Sequence, residues 1–82
     1  MLTGIDPVKV YPNPVNDIII IQSMTEEPVE CSIYTLNERE VMQNALSPLE
    51  VKQINISLLP TGIYMMLVKG EQVQYRMKII KQ

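Results

Sequence analysis

The sequence predicts an all-β sandwich built from about seven short strands. Apolar and polar residues alternate with a period of two in most segments, as they do in strands that are buried on one face. Pro, Gly, Asn or Asp residues separate most of these segments. The chain has 82 residues, which is the length of a single domain, and several short strands at regular spacing in one domain are typical of a sandwich.

The predicted strands differ in which faces they bury. In chain order they cover residues 8–11, 17–22, 29–36, 38–46, 52–58, 62–69 and 72–80. The four isoleucines 18–21 alternate, and we expect both faces of this strand to be covered. Residues 62–69 are also apolar on both faces, which is typical of a central strand. In residues 52–58 we expect Ile54, Ile56 and Leu58 to share the buried face.

The connection between the first two strands contains two prolines, Pro12 and Pro14. Each proline fixes its own φ and holds the preceding residue extended, so this connection is predicted to be stiff. Because proline cannot donate a hydrogen bond to a β-ladder, we expect the segment at a sheet edge or between the sheets. Asn16 and Asp17 are expected to close the following turn through their side chains.

Residues 38–46 allow two interpretations. They are good helix formers, and Val41, Met42, Ala45 and Leu46 recur at helical spacing. Alternatively, the segment forms a strand that pairs with residues 29–36 in a hairpin. We favour the strand, because it would complete the sheets of the sandwich.

Two further loops carry specific expectations. Gly70 in "KGEQ" is predicted to supply a positive φ to a hairpin turn between the last two strands. Glu26 and Glu27 precede Pro28 and are expected to lie in a solvated loop. Neither glutamate has neighbours that indicate acid–base chemistry.

Composition argues against several classes of function. The formal net charge is −2, which disfavours nucleic acid as a partner, and no apolar run is long enough to span a bilayer. The chain contains no histidine and no nucleophile beside a base, so we predict no catalytic residue and no enzyme activity. The single cysteine, Cys31, is expected to be a small buried apolar residue. We also expect no cofactor and no metal.

Three motifs carry a resemblance to a known family. "VYPNPVND" occupies residues 10–17, "LPTGIY" follows about 45 residues later, and "KIIKQ" is the last segment of the sequence. In this order and spacing they resemble the C-terminal sorting domain of type IX secretion substrates in Bacteroidetes. The matching positions are Tyr11, Pro12, Asn13, Pro14, Asp17, Ile33, Tyr34, Leu36, Val41, Ile54, Ile56, Leu59, Pro60, Gly62, Tyr64, Lys78 and Lys81. Glu38 replaces a glycine that is common in the family, so we expect it to disfavour the turn there.

The resemblance implies an immunoglobulin-like antiparallel β-sandwich and a function without catalysis. Members end large exported proteins, which cross the periplasm and are recognised by an outer-membrane translocon on the way to the cell surface. A sortase-like protease then cuts upstream and often joins the cargo to an anionic lipopolysaccharide. We therefore expect residues 1–7 to be a linker or an added lead, with the cut at or before "LTGID", and residues 8–82 to be the sorting domain.

The last strand is the predicted recognition element. Residues 69–82 carry four cations and one anion, whereas residues 1–68 carry three cations and eight anions. The candidate translocon-recognition residues are Arg76, Lys78, Ile80, Lys81 and Gln82, which would dock by electrostatics or by strand addition. The same charges would also protect an exposed edge strand from aggregation.

An immunoglobulin-like adhesion or carbohydrate-binding module of a surface protein is the alternative function. Such a module should expose aromatic platforms or a large apolar patch. The chain has no Trp and no Phe and only four Tyr, which disfavours glycan binding.

Overall fold

The computed structural model describes residues 6–82 and confirms the all-β prediction. Seven strands account for the regular structure of this range, and it contains no helix. In chain order the strands are β1 (Val8–Tyr11), β2 (Ile18–Ser23), β3 (Val29–Thr35), β4 (Glu40–Leu46), β5 (Val51–Asn55), β6 (Gly62–Lys69) and β7 (Gln74–Lys81).

The strands form two antiparallel sheets that pack as an immunoglobulin-like sandwich. One sheet has the order β1-β2-β5 and the other has the order β4-β3-β6-β7. The chain changes sheet between β2 and β3, between β4 and β5, and between β5 and β6. The last strand, β7, pairs along its whole length with β6 and lies at the edge of the four-stranded sheet.

The core lies between the sheets and is almost entirely aliphatic. Val29, Cys31 and Ile33 of β3 point inward, as the alternation predicted. The other buried apolar residues are Val8, Val15, Ile19, Ile21, Leu46, Ile54, Ile56, Tyr64, Met66, Val68 and Ile79. Burial of these side chains, at roughly 25 cal/mol per Å² of apolar surface, is the main stabilising contribution to the domain.

Residues 40–46 are a strand, so the helical interpretation of this segment is wrong. Each residue from Val29 to Ile33 pairs with a residue of β4, and Leu46 enters the core. Pairing and burial of this kind override intrinsic helix propensity, which is only a weak preference. The register shifts between Ile33 and Tyr34, so β4 contains a bulge at this point.

Glu38 occupies the left-handed region in the turn between β3 and β4. Its φ is +66°, and the turn is nevertheless formed. The Glu38 amide donates to the Thr35 carbonyl at 2.9 Å, and the Thr35 amide donates to the Arg39 carbonyl at 2.9 Å. The turn therefore tolerates a residue that disfavours its conformation, at a cost of about 1 kcal/mol relative to glycine.

Two predictions about exposure are wrong. Ile18 is 43% exposed, because the outward face of β2 is on the surface of the sandwich and is not covered on both sides. Leu58 is 96% exposed, although Ile54 and Ile56 are buried as expected. The strand ends at Asn55, whose Oδ1 accepts a hydrogen bond from the Ser57 amide at 2.8 Å, and this turn directs Leu58 away from the core.

The turn between β6 and β7 is held by Glu27, which is therefore not simply solvated. The Glu27 Oε1 accepts hydrogen bonds from the amides of Glu71 at 2.7 Å and Gln72 at 3.2 Å. Gly70 does not adopt the left-handed φ that we predicted. A Cβ at Gly70 would lie 2.7 Å from the Glu27 Oε1 and 3.1 Å from the Pro28 carbonyl oxygen, so a larger residue there would have to displace the Glu27 carboxylate.

Candidate docking site at the C-terminal strand

The three family motifs meet at one end of the sandwich, which we call the signature pole and define by residues 11–17, 56–62 and 81–82. β1 ends at Tyr11, and the Asp17 carbonyl accepts a hydrogen bond from the Ile56 amide at 2.7 Å. Gly62, which starts β6, is paired with Lys81 at the end of β7. Motifs that are separated along the sequence are therefore adjacent in space.

Asn13 binds the outer edge of β7 with both atoms of its side-chain amide. Its Oδ1 accepts from the Ile80 amide at 2.9 Å, and its Nδ2 donates to the Lys78 carbonyl at 2.8 Å. The two bonds reproduce those that a neighbouring strand would make. Asn13 belongs to the family motif, but the motif alone does not predict this contact. The flanking prolines are the feature of the sequence that could have indicated it. Because neither proline has a backbone N–H group, neither can supply the donor that the Asn13 side chain provides.

Val15 continues this contact along the edge of β7. The Val15 amide donates to the Ile80 carbonyl, and the Val15 carbonyl accepts from the Gln82 amide, both at 2.8 Å. Val15 forms a parallel bridge with Lys81 and is completely buried. The end of β7 is thus paired on both sides, so strand addition by a partner at Ile80 or Lys81 would first require displacement of this segment.

The two prolines lie in the connection between β1 and β2, which belong to the same sheet. This connection passes along the edge of β7 in the four-stranded sheet, in agreement with the predicted position at a sheet edge. The peptide bonds before Pro12 and Pro14 are both cis. The Asp17 carbonyl extends the pairing of β2 with β5 through its bond to the Ile56 amide, and the Asp17 side chain is exposed, so the predicted side-chain closure is not the contact observed here.

The "LPTGIY" motif forms the corner through which the chain enters β6. The Tyr64 ring is buried, and its hydroxyl donates to the Pro60 carbonyl at 2.5 Å. This arrangement is the tyrosine corner that also occurs in immunoglobulin-like sandwiches. Gly62 has a φ of +156°, which a residue with a Cβ rarely adopts, and it has open space around its α-carbon. The glycine is therefore required by the backbone and not by crowding.

The candidate recognition residues on β7 divide between the surface and the interior. Arg76 and Lys78 are exposed on the outward face of the four-stranded sheet, and Ile80 on the same face is half-buried. Lys81 is only 7% exposed, and its Nζ donates to the Gln82 carbonyl oxygen at 2.9 Å. Two of the predicted cations, Arg76 and Lys78, are therefore exposed, whereas Lys81 is buried and donates a hydrogen bond to Gln82.

The chain enters the domain at the opposite end of the sandwich. The Pro7 carbonyl accepts from the Met24 amide at 2.8 Å, immediately before β1 begins. Asp6 lies beside Tyr75 near the start of β7; burial and, secondarily, this carboxylate raise the pKa of Tyr75. The four residues of β1 separate this entry from Tyr11 at the signature pole, which is about 13 Å along the strand. The predicted lead and cut site fall mainly on residues 1–5, outside the described residues.

Cys31 is placed where thiol chemistry is suppressed. It is 1% exposed, and burial raises the pKa of the thiol from 9.0 to about 11, although the charge of Lys52 acts in the opposite direction. Within residues 6–82 no three His, Cys, Asp or Glu side chains are grouped so that they could hold a metal ion. In this range there is also no helix of the length and hydropathy that a membrane span requires.

Tyrosine exposure gives little support to a glycan-binding surface. Tyr64 is buried, and Tyr34 and Tyr75 are only partly exposed. Tyr11 is 43% exposed and stands alone at the end of β1. A carbohydrate platform needs aromatic faces that are open to solvent and close together.

Comparison with known families assigns the domain. A search of curated proteins returned no match to this chain. The profile of the secretion system C-terminal sorting domain matches residues 9–82, which includes all three motifs and every strand of the sandwich except the first residue of β1. The chain therefore belongs to the family of C-terminal sorting domains of the type IX secretion system.

Proposed function

We propose that this domain is the terminal sorting signal of a larger exported protein. The outer-membrane translocon recognises the folded domain after the protein has reached the periplasm, and moves the cargo to the cell surface or beyond. The domain itself performs no reaction. Its role is to present a surface that the secretion machinery can bind.

The positions of the two chain ends are the observation that carries this proposal. The cargo side of the chain enters beside Pro7 and Tyr75, whereas the family motifs and Gln82 lie at the signature pole. A receptor can therefore contact the signature pole and β7 while a large protein remains attached at the other end. A sorting signal at the end of a folded cargo requires such an arrangement.

A second observation supports recognition of the folded state. The end of β7 is fixed by the Asn13 amide, by Val15 and by the pairing with β6. The contacts of Asn13 and Val15 join residues about 65 positions apart in the sequence, so they form only when the domain has folded. A receptor that reads the outward face of β7 in this geometry would discriminate folded from unfolded cargo.

Processing of the cargo is the remaining part of the proposal. A sortase-like protease would cut at or before residues 2–6, which connect the cargo to the sandwich, and could join the cargo to an anionic lipopolysaccharide. Cleavage at this place would leave all seven strands in the released domain. Linkers at the edge of a domain are preferred sites of proteolysis.

The test is a reporter enzyme that carries a periplasmic export signal and is followed by residues 1–82. It is expressed in a bacterium with a type IX system and in the same strain without the translocon, and surface reporter is measured by its accessibility to added protease. We expect display only when both the domain and the translocon are present. Equal display of a reporter that lacks the domain, or equal display without the translocon, would refute the proposal.

A further inference from the structure

The outward face of β6 is apolar, although it does not pack against the other sheet. Antiparallel sheets with one solvated face normally place polar residues outward. On β6 the outward residues are Ile63, Met65 and Leu67, and the inward ones form the core. Ile63 is 44% exposed, and Met65 and Leu67 are partly exposed. β6 therefore does not alternate between apolar inward residues and polar outward residues, as a strand with one solvated face normally does.

Neighbouring strands extend this apolar surface. Tyr34 of β3 pairs with Met65, and Ile80 of β7 pairs with Ile63. We define the outer-face patch as Tyr34, Ile63, Met65, Leu67 and Ile80. Methionine is frequent in binding surfaces because its side chain is flexible and polarisable.

A groove crosses the outer-face patch. It has a volume of about 500 Å³, within the range of protein ligand sites. Met65 and Leu67 contribute to the groove, Tyr34 and Leu36 line it from β3 and the following turn, and Arg76 lines it from β7. Leu36 is 63% exposed, so an apolar side chain that lines the groove is open to solvent. The groove is large enough to take one or two apolar side chains.

Positive charge borders the patch on the β7 side. Arg76 is paired with Leu67 and Lys78 with Met65, and both cations are exposed. Glu38, at the opposite side of the groove, is the one carboxylate among the described residues that line it. A partner that places apolar side chains in the groove would therefore meet two cations on its β7 side, and carboxylates would complement them.

We propose that the outer-face patch is a docking surface for an acidic segment of a partner protein, which inserts apolar side chains into the groove and pairs carboxylates with Arg76 and Lys78. The inference rests on the proposed function, because the partner is a component of the export machinery. An anionic membrane is a poorer occupant, because lipid-binding segments use about four to eight clustered Lys and Arg residues.

The first experiment uses the reporter fusion with paired variants. Arg76→Glu with Lys78→Glu reverses the charge of the patch, and Leu67→Gln removes its apolar character. The matched controls are Lys9→Glu, an exposed cation on β1, and Val51→Gln, a 55% exposed apolar residue on β5. All purified domains are compared by thermal unfolding, so that a loss of display is interpreted only where the domain remains folded.

We expect both patch variants to lower surface display by about tenfold, and both controls to stay within about twofold of the wild type. If the wild-type domain directs display and the folded patch variants do so equally well, the docking inference is wrong and the proposed function stands. If the wild-type domain directs no display, both are wrong. Display that falls equally in patch and control variants also overturns the inference, because the effect would not be specific to this face.

A photo-crosslinking experiment identifies the contacting segment. A benzophenone amino acid replaces Leu67, or Val51 as control, in the fusion during export, and the crosslinked peptide is sequenced by mass spectrometry. We expect a crosslink from position 67 alone, to a segment of an export protein that contains Asp or Glu. A crosslink to a second copy of the domain, or binding of the domain to phosphatidylglycerol vesicles that Arg76→Glu with Lys78→Glu abolishes, would overturn the proposal.

Discussion

Removal of the Asn13 side chain should weaken the attachment of the C-terminal strand. The Asn13→Ala variant loses the acceptor for the Ile80 amide and the donor to the Lys78 carbonyl, at 2.9 and 2.8 Å. Each such bond contributes about 0.5–1.5 kcal/mol, so the expected loss in the free energy of unfolding is about 2 kcal/mol. For a domain of this size, that loss corresponds to a decrease in melting temperature of about 8–16 °C.

Two matched variants distinguish the effect of these hydrogen bonds on stability from the effect of changing another residue of the motif. Asn13→Asp keeps the acceptor for the Ile80 amide but replaces the donor with a carboxylate that faces the Lys78 carbonyl, so we expect it to lose at least as much stability as one bond contributes. Asn16→Ala changes an exposed asparagine three residues away and should alter the free energy of unfolding by less than about 0.5 kcal/mol.

The assays are urea unfolding followed by circular dichroism and amide hydrogen exchange of Ile80. In the wild type we expect the Ile80 amide to be protected to a degree close to that of the core strands, and in Asn13→Ala to exchange much faster. The reasoning is refuted if Asn13→Ala unfolds within about 0.5 kcal/mol of the wild type while protection at Ile80 is unchanged.

Three further predictions concern other positions. Glu38→Gly should stabilise the domain by about 1 kcal/mol, because glycine adopts the φ of +66° without steric cost; an unchanged or lower melting temperature would contradict this. Tyr64→Phe should lower the free energy of unfolding by about 1 kcal/mol, because it removes the bond to the Pro60 carbonyl while keeping the buried ring; urea unfolding measures the loss, and a stability equal to the wild type would argue against the tyrosine corner. The pKa of the Cys31 thiol is raised from 9.0 to about 11 in the folded chain, so its contribution to stability is complete below pH 9.0 and is lost between pH 9.0 and about 11. The loss over that window should be about 2–3 kcal/mol. In Cys31→Ala this part of the alkaline decline should disappear; an identical pH dependence of urea unfolding in both proteins would show that the thiol does not titrate as described.

The sequence shows which residues of the candidate site belong to the family motifs, but not which residues they contact in the folded chain. The motifs identified Asn13 and Tyr64 as members of a family pattern. The contact of Tyr64 with Pro60 lies within its own motif, whereas Asn13 binds Ile80, which only the folded chain brings near. Lys81 was grouped with Arg76 as an exposed cation, because a charged residue near the terminus is usually solvated. Lys81 lies instead on the same face of β7 as the buried Ile79, beside the bridge to Val15, and is itself buried.

The same limit applies to the loops. Glu27 is a polar residue in a polar segment, and nothing in its neighbourhood along the chain indicates that it accepts hydrogen bonds from Glu71 and Gln72. The positive φ predicted for Gly70 is wrong, and the constraint at this position comes from the distant Glu27 carboxylate, which a Cβ would approach to 2.7 Å. Leu58 was assigned to the core because the alternation was extended past Asn55, where the strand ends.

The sequence by itself determined the fold class, six of the strands outright and the preferred state of the seventh, most of the core and the family, because a period of two and turn residues are local properties of the chain. Only the tertiary structure decided which ends and edges are accessible. Exposure of Arg76 and burial of Lys81 depend on which face of β7 packs on the core, and the pairing of β7 with β6 and with the segment around Val15 decides which of its edges are covered. Burial is a property of neighbours in space, and those neighbours are set by pairing between distant segments.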